Sequence, residues 1–160
     1  FVIGSSAGGY LAGAIGAMWH CDFAKSSPDM EYGANRPNGV ILTYGVVSTR
    51  EDIRCFCFDN LVTEEYGEEE VSLERYVDEK SAPAFIWHSF PDECVDPRNA
   101  LVLADSYVRA KVPCELHLYS DGAHGIGLGV PGEGNSEFYP RAHRWADEAA
   151  EWALGLYAAR

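Results

Sequence analysis

The stretch FVIGSSAGGYLAG, residues 1–13, decides how the rest of the chain is read. Four residues of strand character run without a linker into a serine set among glycines and alanines. The pattern Gly4-Ser5-Ser6-Ala7-Gly8 fits G-x-S-x-G, with Gly4 and Gly8 flanking Ser6. A nucleophilic serine needs such surroundings when it sits on a tight strand-to-helix turn. Side chains two residues to either side would collide, and small neighbours let a carbonyl approach. The amide of Ala7 then lies at the start of a helix, where the dipole favours a developing oxyanion. A plain glycine-rich turn is the alternative that the motif alone leaves open.

Working outward, the order is strand, helix, strand, irregular stretch, strand, helix, strand, loop, helix. FVIG reads as a short buried strand and AGGYLAGAIGAMWH as a helix rich in small residues, fit for close packing on a sheet. VILTYGVVS is a near-continuous apolar strand of the kind found in parallel sheets. PAFIWHS and CELHLYS are the remaining strands. DPRNALVLADSYVRAK is a helix, with Asp96 as its cap, Pro97 in its first turn, and Leu101, Ala104 and Val108 on one face. A shorter helix, SLERYVDE, has Ser72 as its cap, and Trp145, Ala149, Trp152 and Leu156 form a core stripe on the last helix. This alternation predicts an α/β fold, a mostly parallel sheet with helices on both faces, in a single domain.

The chain has 160 residues, 25 acidic against 12 basic, for a formal charge of -13. That excess repels nucleic acid and anionic membrane surfaces, so neither is expected as a partner. No apolar run reaches the roughly 18 residues that cross a membrane. The five cysteines lack the spacing of a disulfide framework or a zinc site, which leans towards a reducing, cytoplasmic compartment. Cys55 and Cys57 are the close pair, and their side chains are expected on one face of a strand. No metal is assigned to them.

In parallel sheets, function collects at the carboxyl ends of the strands. Asp92, in WHSFPDECVDP, follows one strand and precedes a capped helix, where its carboxylate can fix a histidine tautomer. Asp96 and Glu93 are its rivals, Asp96 being committed to the cap. His124, in SDGAHGIGL, lies in a glycine-rich loop just past another strand and suits a general base. His20, His88, His117 and His143 read as structural. Ser6, Asp92 and His124 occur in the order Ser, Asp, His, which is the order of the α/β-hydrolase triad.

On these residues the chain resembles the carboxyl-terminal half of bacterial α/β-hydrolase esterases of the acetyl-xylan esterase and lipase-like group. GSSAGGYLAG, ILTYGVVS, VSLERYV, PAFIWHSFPDECVDPRNAL, VPCELHLYSDGAHGIGL and the final tryptophan-bearing helix carry the likeness. The resemblance implies Ser6 as nucleophile, Asp92 as orienting acid, His124 as base and Ala7 as oxyanion donor. It implies a small-molecule ester substrate with a small acyl group, carbohydrate esters included, and no metal or organic cofactor. Gly45 stands where the family usually has proline, and Val95-Asp96-Pro97 where it has Val-Pro. The strands and the His-Gly-Gly-type loop that precede the nucleophile in the family have no counterpart here, so the chain is expected to be part of a longer one. Residues 49–82 are expected near the mouth of the site. A serine peptidase of the prolyl-oligopeptidase kind shares the order and spacing, but those enzymes usually carry an aromatic residue where this chain has Ala7. A non-catalytic binding protein on the same fold is the reading from another class.

Overall fold

The computed structural model describes residues 1–25, 27–132 and 137–158. Four strands, β1 (Val2–Ser5), β2 (Val40–Thr43), β3 (Ala84–Ser89) and β4 (Cys114–Tyr119), form one sheet in the order β1-β2-β3-β4. All three pairings are parallel, with Ser5 opposite Thr43, Thr43 opposite Trp87, and Trp87 opposite His117. The helices are α1 (Ala7–Met18), α2 (Arg98–Ala110) and α3 (Trp145–Ala158). Single turns of tighter helix cover Asp22–Ala24, Phe56–Asn60, Leu73–Tyr76 and Ala142–Arg144.

The inner strands are buried along their whole length because both faces are covered. Val40 and Leu42 of β2, with Ala84 and Ile86 of β3, pack with Ala17 of α1 and with Ala100, Leu103, Ala104 and Tyr107 of α2. The alternate residues Ile41, Phe85 and Trp87 face Trp145 and Ala149 of α3. Trp87 stacks on Trp145 at 5.4 Å between ring centres. The period of two along each strand thus sorts its side chains between two helical layers.

Small residues let α1 lie close to the sheet. A Cβ on Gly9 would stand 2.8 Å from Gly45 Cα, and one on Gly13 would stand 2.5 Å from a Leu73 methyl. A third apolar cluster, Val46, Cys55, Phe58, Val71 and Val95, lies past the strand ends with Tyr10 against it.

Several local expectations are corrected. β1 is only half-buried, with Ile3 58% exposed, because among the described strands it is an edge. On α2 the buried face is Ala100, Leu103, Ala104 and Tyr107, while Leu101 and Val108 are exposed. The ring of Tyr107 carries more apolar area than either aliphatic side chain and turns the helix towards itself. Asp96 does accept the amide of Arg98 at 2.8 Å, at the helix start. Ser72 makes no capping bond. It accepts the Thr49 amide and donates to Glu74 instead. Cys55 and Cys57 lie at the start of the Phe56–Asn60 turn and not on a strand. On α3 the stripe is buried at Trp145 and Ala149 and half-buried at Trp152 and Leu156.

Candidate active site

β1 ends at Ser5, and α1 begins at Ala7, leaving Ser6 as the whole connection. Its backbone has φ 56° and ψ -121°, a conformation that costs a non-glycine residue about 1–3 kcal/mol. The turn is held by its own backbone. The Ser6 amide donates to Thr43 O at 3.0 Å, and the Ser6 carbonyl accepts the amides of Gly9, Tyr10 and Val46. Ser6 stands at the N-cap of α1, yet its hydroxyl makes no capping bond. It is turned instead towards His124, with Oγ 2.8 Å from Nε2.

The glycines of the motif do not play equal parts. A Cβ on Gly4 would stand 1.9 Å from Gly8 O, so residue 4 cannot carry a side chain without moving the turn. A Cβ on Gly8 would meet nothing within 4 Å. The expected collision is therefore one-sided, because the Gly8 carbonyl, not its Cα hydrogen, faces β1.

Asp92 lies three residues past the end of β3, and His124 five past β4. His124 Nδ1 is 2.8 Å from Asp92 Oδ2. A nitrogen facing a carboxylate carries the proton, which leaves Nε2 as the lone pair that accepts the Ser6 hydroxyl. The Asp92 side chain is fully buried, and that of His124 is 20% exposed. Asp92 Oδ1 accepts the amides of Cys94 and Val95, both at 2.9 Å. Burial pushes its carboxyl up, but the hydrogen bonds from His124, His88 and the two amides outweigh this and hold it well below the usual carboxylate range. Asp96 is tied to Arg98, and Glu93 is exposed, so neither takes this place.

Two further residues escape a reading of the sequence. His88, fully buried, brings Nε2 to 3.1 Å from Asp92 Oδ2 and 3.0 Å from Val95 O. Two oxygen acceptors at one nitrogen make Nε2 the protonated one, and His88 Nδ1 is buried without a partner. The sole sequence signal is its place four residues before Asp92 at a strand end. Tyr44 has φ 39°, its amide donates to Trp87 O, and its ring meets His124 edge-on at 5.0 Å. Here the sequence points the wrong way, since Gly45 follows and yet the positive φ falls on the tyrosine.

A further anchor holds the segment between β2 and the site. Asn99 Oδ1 accepts the amides of Val47 and Ser48, and its Nδ2 donates to Ile53 O. Beyond it, Cys57, Phe58 and Leu61 line a cavity of about 300 Å³ together with Ala7, Tyr10, Leu11 and Val46. Burial pushes the Cys57 thiol up to about 12, so it is a packed, protonated group there. A second hollow, of about 580 Å³, is lined by His124 together with Pro91, Glu93, Ala123 and Tyr139.

A parallel sheet with helices on both faces, a serine on a one-residue strand-to-helix turn, and an acid and a histidine past the ends of β3 and β4 make up the α/β-hydrolase arrangement. The chain has that fold, over the part of it that the sequence spans. No family model matches. Aligned over 141 residues, the chain is 28% identical to endo-1,4-beta-xylanase B of Butyrivibrio fibrisolvens, covering 86% of this chain and 21% of that one. Its structure is similar to an acetyl ester-xyloside bifunctional hydrolase from Caldicellulosiruptor lactoaceticus, with TM-score 0.76 and 27% identity over 96% of this chain and 56% of that one. A sugar hydrolase from Lactococcus lactis gives TM-score 0.72 and 30% identity over 98% and 58%. The carboxylesterase Cest-2923 from Lactobacillus plantarum, at 23% identity and TM-score 0.75 over 97% and 58%, shares the fold. The chain thus spans a little over half of these structures and about a fifth of the xylanase. Among the described residues, no helix is long and apolar enough to cross a membrane.

Proposed function

We propose that the protein is a serine hydrolase of carboxylic esters, with Ser6 as nucleophile, His124 as general base and Asp92 as the group that orients the imidazole. The observation that carries this reading is the unbroken chain Ser6 Oγ–His124 Nε2, 2.8 Å, and His124 Nδ1–Asp92 Oδ2, 2.8 Å, on a serine whose backbone is strained. The names of the neighbours, an acetyl ester-xyloside hydrolase among them, support an ester substrate and make an acetyl ester the first to try.

In this mechanism Ser6 Oγ attacks the ester carbonyl as its proton passes to His124 Nε2. The oxyanion is received by the Ala7 amide, which has no intrahelical acceptor at the first position of α1. The bond to the alcohol oxygen breaks, and His124 gives that oxygen its proton. A water molecule then attacks the acyl-Ser6 ester, passing one proton to His124, and the acid leaves as Ser6 regains its hydrogen. Asp92 stays ionised throughout and stabilises the imidazolium.

Labelling with a fluorophosphonate, read by peptide mass spectrometry beside 4-nitrophenyl acetate hydrolysis, tests the reading. The label is expected on the peptide holding Ser6, and Ser6→Ala is expected to lose both label and turnover. A folded protein that neither labels nor hydrolyses any ester would overturn it.

A further inference from the structure

We propose that Asn99 is a positioning residue of this hydrolase, a buried carboxamide that holds the nucleophile turn and the acid loop in register. The inference rests on the roles proposed above for Ser6 and Asp92, and it names a group that keeps their two segments at working distance.

Asn99 is the second residue of α2 and is fully buried. Asparagine is mostly an exposed residue, so its place in a core asks for a reason. A carboxamide offers two lone pairs and two N–H donors. All four are used, and every partner is backbone. Oδ1 accepts the amides of Val47 at 3.0 Å and Ser48 at 2.9 Å. Nδ2 donates to Ile53 O at 3.1 Å and to Asp96 O at 3.0 Å. None of these partners lies in α2, so the side chain is not a cap of its own helix.

On each side, one bond ends a residue away from a backbone group that touches the triad. Val47 follows Val46, whose amide donates to the Ser6 carbonyl. Asp96 follows Val95, whose amide donates to Asp92 Oδ1 at 2.9 Å and whose carbonyl accepts from His88 Nε2. Val46 and Val95 also belong to one apolar cluster, but apolar contact has no direction. The planar carboxamide fixes the angle between the two segments as well as their separation. That angle matters because Ser6, His124 and Asp92 meet through two links of 2.8 Å each. A misplacement of about 1 Å in such a constellation costs about a hundredfold in rate. An apolar residue at this position would fill the space, yet leave the amides of Val47 and Ser48 without their acceptor.

The test sets Asn99→Ala and Asn99→Asp against Leu103→Ala, which also removes a buried side chain from α2 but no hydrogen bond. Asn99→Asp keeps an acceptor for the amides of Val47 and Ser48 and, once ionised, loses the donors to Ile53 and Asp96. Urea unfolding gives the stability of each, and 4-nitrophenyl acetate gives kcat and KM. Proton NMR reads the low-field resonance of the His124 Nδ1–Asp92 bond. Both Asn99 variants are expected to lower kcat about 30-fold or more with KM within about threefold of wild type, the mark of geometry lost in the transition state. The low-field proton is expected to broaden or vanish in both. Leu103→Ala is expected to lose stability as well, yet to keep its low-field proton and a kcat within about threefold. If Asn99→Ala does not fold, Asn99→Asp carries the comparison. If neither folds, Asn99 serves folding alone and the proposal is overturned. Folded Asn99 variants with the kcat of wild type, or a Leu103→Ala protein that loses kcat as far, overturn it too and leave Ser6 and Asp92 standing. A folded wild type that turns over no ester instead overturns the reading of Ser6, and the positioning role with it.

Discussion

His88 and His124 share one oxygen atom, Asp92 Oδ2, at 3.1 Å and 2.8 Å. The two imidazoles approach the carboxylate from a strand end and from a loop. Asp92 is thereby fixed by four donors, two rings and two amides. His88 acts through Asp92 and does not reach the serine, so it is a positioning residue. Replacing it with phenylalanine removes one charge-assisted bond from a buried carboxylate, worth about 1.5–3 kcal/mol. The variant is expected to lose about 2 kcal/mol in urea unfolding at neutral pH and to lower kcat with little change in KM. His88→Gln, which can still donate, should recover part of both. A kcat equal to wild type in a destabilised His88→Phe protein would reduce His88 to packing.

Tyr44 is held in a left-handed conformation with its ring against His124. Glycine relieves the strain, about 1 kcal/mol or more, but deletes a buried ring that also meets Trp87 at 5.1 Å. Tyr44→Gly is therefore expected to lose less stability than the about 3–5 kcal/mol usual for a large aromatic deletion, yet to lower kcat at least about tenfold. Tyr44→Phe keeps the ring and should stay within about threefold. Steady-state kinetics with thermal unfolding checks both.

The turn makes opposite demands on its two glycines. Gly4→Ala drives a Cβ into the Gly8 carbonyl and is expected to cost more than about 3 kcal/mol or to prevent folding. Gly8→Ala enters open space on the first turn of a helix and should be neutral or stabilising by up to about 1 kcal/mol. Denaturant unfolding of the pair reads the difference. Equal losses in both would contradict the geometry of the turn.

Asp92 also ties stability to pH. Its folded pKa lies below that of an unfolded aspartate, about 3.9, so the folded chain binds fewer protons there. The contribution is complete above roughly pH 5 and is lost as pH falls towards the folded value. Asp92→Asn is expected to be less stable than wild type at pH 7, with the gap closing below about pH 4. Unfolding curves at pH 7, 5 and 3.5 measure it, and a gap constant with pH would show that packing, not charge, holds this loop.

Much of the arrangement is legible in the chain alone. The alternation of apolar runs with helical patterns dictates a parallel sheet, since consecutive parallel strands need a crossover between them. Ser6, Asp92 and His124 stand out because each follows such a run and the order is informative. The buried face of α2 was harder to read. A stripe of aliphatic residues suggested Leu101 and Val108, while the fold buries Tyr107.

Tertiary structure alone decided what happens between residues far apart. The distances from Ser6 to His124, 118 positions on, and from His124 to Asp92, 32 back, depend on the register of adjacent parallel strands. The second histidine on Asp92, the strain at Tyr44 beside a glycine, and the unequal glycines of the turn depend on which face each backbone presents. A sequence specifies period, small residues and caps, because these act within one or two turns of chain. Which atoms then meet is set by the packing of whole elements against each other.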